Sequence, residues 1–166
     1  MESPRYTPPI LMTQTNESPK RLNLEDISVG QRFTSGTYQM DEARIKAFAA
    51  EFDPQPFHQD EALSRRTIFG GLAASGWHMA AVMMRLLVDG GLPLADGIIG
   101  LGGEIQWTKP VRPGDTLRVE SEILEITPSR SKPNQGVVRI RNVMLNQNGD
   151  QVQVFTAKIL VLKRGQ

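Results

Sequence analysis

The clearest pattern along the chain is a run of apolar residues at helical spacing near its middle. The apolar positions recur at intervals of three and four residues, at Met79, Val82, Met83, Leu86 and Leu87. This spacing predicts an amphipathic helix over residues 76–88, which ends before Gly90 and Gly91. Its apolar face is wide, so we expect this helix to be the most buried one of the fold.

The second half of the chain has the pattern of strands. Four long segments rich in strand-favouring residues are predicted as strands: 98–108, 116–127, 136–145 and 152–163. Pro-Gly-Asp at 113–115 and Asn-Gly-Asp at 148–150 supply turns. Because no helices separate these strands, the sheet should be mainly antiparallel, with the long helix buried on one face. This is an α+β arrangement, a curved sheet wrapped around a central helix.

Shorter elements are predicted before the central helix. Residues 32–40 favour a strand, residues 41–51 a helix capped by Asp41, and residues 60–66 a second, short helix. Between these helices, the sequence Asp-Pro-Gln-Pro-Phe-His at 53–58 contains two prolines. Proline fixes its own φ and moves the preceding residue away from the helical region, so this segment is predicted to be a stiff loop.

Length and composition favour a single domain. With 166 residues, the chain can bury about 70% of the surface that its unfolded form would expose. Residues 1–23 are polar and rich in proline, and we expect a mobile arm there, or one that wraps a partner subunit, followed by one domain over residues 24–166. The chain has no cysteine, which excludes a disulfide framework and a thiolate nucleophile.

The charge pattern narrows the range of partners. There are 19 basic and 18 acidic residues, for a net charge of +1, whereas a nucleic-acid surface needs a clustered excess of Lys and Arg. No apolar run approaches the roughly 20 residues that span a bilayer, and the N-terminal residues lack the apolar core of a signal peptide. We therefore expect a cytoplasmic protein that binds neither nucleic acid nor membrane.

Two histidines, His58 and His78, limit the search for catalytic chemistry. His58 lies five residues after Asp53 in the proline-containing segment, where a stiff backbone could hold both polar groups facing one site. Such a pair can take a proton from water and deliver another, as addition of water to an activated C=C bond requires. The spacing is common by chance, however: Asp53 could simply end the preceding helix, and His58 could be a surface residue.

Gly76, at the predicted start of the central helix, is a second candidate. The first N–H groups of a helix lack internal acceptors and carry partial positive charge, so they could polarise a thioester carbonyl. A glycine there could equally allow close packing, and both interpretations stay open. For His78 we favour a packing or interface role. Neither histidine has the spacing of a metal-ligand motif, so no metal site is predicted.

Two longer segments carry a family resemblance. Residues 48–60, Phe-Ala-Ala-Glu-Phe-Asp-Pro-Gln-Pro-Phe-His-Gln-Asp, and residues 69–77, Phe-Gly-Gly-Leu-Ala-Ala-Ser-Gly-Trp, resemble the MaoC-like acyl dehydratases, relatives of the (R)-specific enoyl-CoA hydratases. Residues 109–115 resemble the strand-turn segment of that family, and the likeness spans about residues 24–162. It implies a hot-dog fold and a homodimer or dimer of dimers, with the acyl-thioester tunnel at the subunit interface.

The resemblance also implies roles for individual residues. Asp53 and His58 would hold the attacking water, and the Gly76 N–H would bind the thioester carbonyl. The expected pocket residues beside them are Gln55, Phe57, Gly71, Ser75 and Trp77. No cofactor is implied, since coenzyme A or acyl carrier protein would be part of the substrate.

Three departures from the family pattern concern the pocket. Gln55 stands where Asn is common, Ser75 where His is common, and Met84 near the place of a hydroxyl that supports the pair in some members.

The leading hypothesis is a hydro-lyase, an enoyl-thioester hydratase or 3-hydroxyacyl-thioester dehydratase. A hot-dog acyl-CoA thioesterase and a non-catalytic acyl-thioester-binding subunit are the alternatives. Four cations could bind the phosphates of coenzyme A: Lys109, Arg112, Arg65 and Arg66. For each of them, however, the favoured interpretation is a charge on the solvated surface.

Overall fold

A computed structural model of the chain describes residues 20–165 and contains one sheet and four α-helices within that range. The helices are α1 Glu42–Phe52, α2 Pro56–Gln59, α3 Glu61–Ser64 and α4 Gly76–Leu86. The strands are β1 Arg32–Gln39, β2 Ile99–Trp107, β3 Thr116–Pro128, β4 Gln135–Leu145 and β5 Gln151–Leu162. The last four strands begin and end within one residue of their predicted bounds.

The strands of the described residues form one sheet in the order β1-β3-β4-β5-β2. Every neighbouring pair is antiparallel. Buried and more exposed residues alternate along β3 and β4, so one face of the sheet is covered and the other faces solvent. The predicted α+β fold with a mainly antiparallel sheet is confirmed.

Helix α4 covers the buried face of the sheet. Four of its apolar side chains are buried: Met79, Val82, Met83 and Leu86. They join one core with residues of the long strands, among them Val119, Ile140 and Ile159. The backbone continues through one wide turn, Leu87–Gly91, in which Gly90 has a φ of 133° that a residue with a side chain would rarely adopt. The prediction that this is the most buried helix is confirmed.

The segment before α4 differs in part from the prediction. Helix α1 begins as expected, because Oδ1 of Asp41 accepts a hydrogen bond from the Arg44 N–H at 2.8 Å. The predicted loop over residues 53–58 is wrong in its second half, where residues from Pro56 onward form the single turn of α2. Pro56 is the first residue of that turn, a position where its missing N–H costs nothing and its fixed φ suits a helix.

The described part of the chain begins beside the loop that follows α4. Leu22 forms a bridge with Leu94, and its N–H donates to the Pro93 carbonyl at 2.8 Å. Residues 1–19, which make up most of the arm predicted over 1–23, lie outside the described residues, as does residue 166. None of the helices in the described range is long and apolar enough to cross a membrane.

His78 packs between α4 and α1. Its side chain is buried, and its ring stacks on Phe48 with the centroids 4.6 Å apart and the planes 4° from parallel. Its Nδ1 has no hydrogen-bond partner in the part of the chain that the structure describes. Burial lowers the pKa of His78 to about 4, although the negative charge of Asp41 opposes this shift. His78 is therefore neutral near pH 7, and its predicted packing role is confirmed.

Mild acid should weaken the fold through His78. The unfolded chain binds a proton there near pH 6.5 and the folded chain only near pH 4, so the free energy of unfolding falls as the pH decreases through this interval. Between pH 8 and pH 5 this loss amounts to about 2 kcal/mol. His78→Phe, which keeps a ring on Phe48, should remove that part of the pH dependence in urea unfolding. An identical pH dependence in the variant and the wild type would contradict this.

Candidate active site

Asp53 and His58 meet at the break between α1 and α2. Asp53 ends α1, where its N–H donates to the Ala49 carbonyl at 3.0 Å, and His58 lies in the single turn of α2. Oδ2 of Asp53 is 3.4 Å from Nε2 of His58, and the two side chains are 15% and 6% exposed. The structure thus brings together, in a largely buried position, the two residues that the sequence paired.

A backbone carbonyl fixes the ring of His58. Nδ1 of His58 lies 2.7 Å from the carbonyl oxygen of Ala73. Because that oxygen can only accept a hydrogen bond, Nδ1 carries a hydrogen and donates it. Nε2 is therefore the ring atom that faces Asp53 and that can exchange a proton at the site.

Both carboxylate oxygens of Asp53 accept hydrogen bonds. Oδ2 accepts one from the Ser75 hydroxyl at 2.6 Å, and Oδ1 accepts one from the Gln55 side-chain amide at 2.7 Å. Burial raises the pKa of Asp53, but the bonds from Ser75 and Gln55 and the nearby His58 ring lower it, and the net result is a pKa below the usual range. Asp53 is therefore ionised near neutral pH.

Ser75 is the N-cap residue of α4 and is fully buried. Its Oγ accepts a hydrogen bond from the Trp77 N–H at 3.2 Å while it donates to Asp53. The segment just before α4 therefore orients both members of the pair. The carbonyl of Ala73 orients His58, and the hydroxyl of Ser75 orients Asp53. This contact joins residues 22 apart in the sequence, and no local pattern predicted it.

Asp53, His58 and Gly76 line one cavity of about 440 Å³. Its volume is within the range of small-molecule sites. Most of the surrounding side chains are apolar, including Phe57, Phe69, Trp77, Met79 and Trp107. A larger cleft of about 570 Å³ lies along β2, β4 and β5 and is lined by neither histidine. The smaller cavity is therefore the candidate active site, because it combines an apolar lining with the only carboxylate–imidazole pair in the described residues.

The predicted pocket residues divide into two groups. Gln55, Phe57 and Trp77 line the cavity, as expected. Gly71 and Ser75 are not among the lining residues. Ser75 instead contacts Asp53 with its buried hydroxyl, and Gly71 is held in the adjoining loop. The physical reason is that Ser75 turns its hydroxyl to Asp53, and the carbonyl of Gly71 accepts hydrogen bonds from Ser64 and Arg112.

Two aromatic residues of the cavity were missing from the prediction. Phe69 precedes the glycines of the motif at 69–77, which was the one local signal for it. Trp107 comes from the end of β2 and is brought to the cavity by pairing with β5, opposite Gln153. Its place depends on contacts between distant parts of the chain, so no sequence pattern around it could have identified it.

The cations near the cavity have partners within the chain. The Arg112 guanidinium donates to the carbonyls of Phe69, Gly71 and Leu72, and so fixes the loop that carries Phe69. Lys109 pairs with Asp150 at 2.8 Å. Arg65 likewise pairs with Glu61 at 3.0 Å. The contact of Arg65 agrees with its interpretation as surface charge. Lys109 also lines the cavity, and Arg112 has a role inside the fold.

Gly76 lies directly under the indole of Trp107. A Cβ atom at this position would lie 2.5 Å from Cε2 of Trp107, closer than real Cβ contacts allow. The indole Nε1 donates both to the Gly76 carbonyl at 3.0 Å and to Oε1 of Gln153 at 2.9 Å. Close packing against the Trp107 side chain therefore explains why position 76 is a glycine. The role of the Gly76 N–H in binding a carbonyl stays a prediction.

Comparison with known proteins identifies the family. The family described as MaoC like domain matches residues 26–146, which is more than half of the chain. The chain belongs to the MaoC-like dehydratase family. The predicted family resemblance is thus confirmed, and the matched residues include Asp53, His58 and Gly76.

Individual relatives agree with this assignment. The MaoC-like domain is 30% identical to YdeM of Bacillus subtilis over 85% of this chain and 98% of that protein. The crystal structure of a MaoC-like dehydratase from Rhodospirillum rubrum has a TM-score of 0.86 and 56% identity, covering 87% of this chain and 99% of the other. An unliganded R-hydratase from Pseudomonas aeruginosa has a TM-score of 0.71 and 32% identity, covering 87% and 88%. The predicted hot-dog fold is confirmed.

Substitution of Gly76 in this MaoC-like domain should displace the Trp107 indole. Gly76→Ala places a methyl group into the ring, and such overpacking costs about 1–3 kcal/mol of folding free energy. The expected results are a lower midpoint of urea unfolding and a shift of tryptophan fluorescence. Gly100→Ala is the matched control in β2, since a Cβ there meets nothing within 4 Å. Equal effects of the two substitutions would contradict this account.

Proposed function

We propose that this protein is a hydro-lyase that adds water to an enoyl thioester, or removes it from a 3-hydroxyacyl thioester. The observation that carries the proposal is the pair of Asp53 and His58, oriented side by side at the wall of an apolar cavity. Membership of the MaoC-like dehydratase family and the R-hydratase neighbour support a hydratase or dehydratase in general. The thioester and the roles of individual residues are our extension of that support.

In the hydration direction, the ionised carboxylate of Asp53 takes a proton from water while the water oxygen forms a bond to the β-carbon. The electron pair of the C=C bond moves towards the thioester carbonyl, where the Gly76 N–H stabilises the developing enolate oxygen. The protonated His58 ring then delivers a proton from Nε2 to the α-carbon. A proton passing from Asp53 to His58, whose facing atoms are 3.4 Å apart, restores the starting state. Dehydration follows the same steps in reverse.

This chemistry requires no cofactor beyond the carrier of the acyl group. Asp53 serves as the base because its hydrogen bonds keep it ionised near neutral pH. His58 serves as the proton donor because the bond from Nδ1 to Ala73 directs Nε2 to the cavity. The mainly apolar lining suits an acyl chain and limits access of bulk water to the enolate.

Kinetics of site variants test the proposal. Asp53→Asn and His58→Ala should each lower kcat/KM for crotonyl-CoA, or for a better enoyl-CoA found by screening, by about 10² to 10⁴-fold. Asp89→Asn, an exposed carboxylate that pairs with Arg85, is the control and should retain activity. Circular dichroism should report the same fold in all variants. Wild-type activity in either Asp53→Asn or His58→Ala would overturn the mechanism.

The same assay separates the alternative activities. Loss of enoyl-thioester absorbance without free thiol is the expected result. Release of thiol, detected with a thiol reagent, would instead identify a thioesterase in which Asp53 directs water to the carbonyl. Tight binding of acyl-CoA without turnover of any enoyl or 3-hydroxyacyl ester would identify a non-catalytic binding subunit.

We also propose that the chain forms a homodimer, alone or within a dimer of dimers, through β2 and the adjoining side of α4. Strand β2 is an edge strand of the described sheet, and an edge leaves backbone groups unpaired. Several large apolar side chains are exposed on these two elements: Ile99, Leu101, Trp107, Trp77 and Met84. An apolar face continuous with a strand edge is characteristic of a surface that pairs with another chain.

Sedimentation velocity tests the dimer. The wild type should sediment as a dimer or tetramer, and Met84→Glu combined with Leu101→Glu should shift it towards the monomer, because two carboxylates would be buried in the interface. Ile68→Glu is the control, since Ile68 is 98% exposed and lies outside β2 and α4. A monomeric wild type at micromolar concentration would exclude the proposed assembly.

A further inference from the structure

The hydroxyl of Ser75 is the buried group that connects Asp53 to the start of α4. Ser75 has no exposed surface, and its Oγ lies 2.6 Å from Oδ2 of Asp53. We propose that Ser75 is a positioning residue for the reaction, which holds the Asp53 side chain with Oδ2 towards Nε2 of His58. This inference rests on the proposed function for its kinetic consequences, whereas its structural part concerns the ionisation of Asp53 alone.

The direction of the Ser75 hydrogen bond is defined by its second contact. The Trp77 N–H donates to Oγ at 3.2 Å, so one lone pair of the oxygen is occupied. A serine hydroxyl has one hydrogen, and the ionised carboxylate beside it can only accept. The hydrogen is therefore directed to Asp53. The partial positive charge at the start of α4 polarises the hydroxyl in the same direction, which strengthens the bond to a negative charge.

The two carboxylate oxygens of Asp53 are not held equally. Oδ1 accepts from Gln55, whose side chain is exposed and competes with water for its hydrogen bonds. Oδ2 accepts from the buried Ser75 and is also the oxygen 3.4 Å from Nε2 of His58. Ser75 therefore controls the oxygen that faces the proton-exchanging atom of His58. Loss of the bond from Gln55 can be replaced by solvent, whereas loss of the bond from Ser75 leaves a buried acceptor unsatisfied.

Removing the hydroxyl should alter how Asp53 titrates. A hydrogen bond donated to a carboxylate favours its ionised form, so its loss raises the pKa of Asp53. The acidic limb of the pH profile of kcat/KM, which reports the free enzyme, should therefore move to higher pH.

Two substitutions separate positioning from helix capping. Ser75→Ala removes both the hydroxyl and the cap of α4, whereas Ser75→Gly removes the hydroxyl and retains a residue that is tolerated at an N-cap. Both should lower kcat about tenfold or more with little change in KM, and both should shift the acidic limb upward. Ser75→Thr, which keeps the hydroxyl, should restore the wild-type limb.

Asp41→Ala is the matched control for a lost cap. Asp41 caps α1 through the Arg44 N–H at 2.8 Å, at the opposite end of that helix from Asp53, so this variant should lose thermal stability without a shift of the pH profile. If Ser75→Ala and Ser75→Gly behave like Asp41→Ala, with lower stability and an unchanged acidic limb, Ser75 is a cap only and the inference is overturned.

A measurement without substrate keeps the inference separate from the proposed function. The carboxyl ¹³C chemical shift of Asp53, followed by NMR as the pH is varied, reports its pKa directly in the wild type and in Ser75→Gly. A higher pKa in the variant supports the positioning role even if the enzyme acts on a different thioester reaction. An unchanged pKa overturns it, even if Asp53→Asn and His58→Ala abolish hydration as proposed.

Discussion

Burial of the apolar face of α4 against the sheet is the constraint on which the rest of the structure depends. This packing holds the first turn of α4 against the sheet, and the residues at and just before that turn contact the candidate active site. The carbonyl of Ala73 orients His58, the hydroxyl of Ser75 orients Asp53, and Gly76 borders the cavity. Core packing and the geometry of the pair are therefore set by one and the same element.

The site holds a negative charge in a position where burial disfavours it. Asp53 is only 15% exposed, and burial alone would raise its pKa. Hydrogen bonds to both oxygens more than offset this, so the carboxylate stays ionised beside an imidazole whose hydrogen position is fixed by a backbone carbonyl. Hydrogen bonds within the chain are thus sufficient to keep a base ionised beside a proton donor in an apolar cavity.

Much of the fold follows from periodicity, because helix α4 and the strands β2 to β5 each have a strong local pattern. The turn α2 was missed because its first residue, Pro56, fits a helix start as well as a loop. At the site, the spacing of Asp53 and His58 was visible, but it became specific only through the longer motif. The packing of Trp107 on Gly76 joins residues 31 apart, and hydropathy contains no information about such contacts.

The strand order has a consequence for how the protein is made. Strand β2 is paired with β5 alone in the described sheet, and β5 follows the other described strands in the chain. Trp107 sits on β2 and reaches its place through that pairing and its bond to Gln153. A nascent chain can therefore assemble α4 and the Asp53–His58 pair while one wall of the cavity is still missing. The cavity is complete only after β5 has been synthesised and has paired with β2.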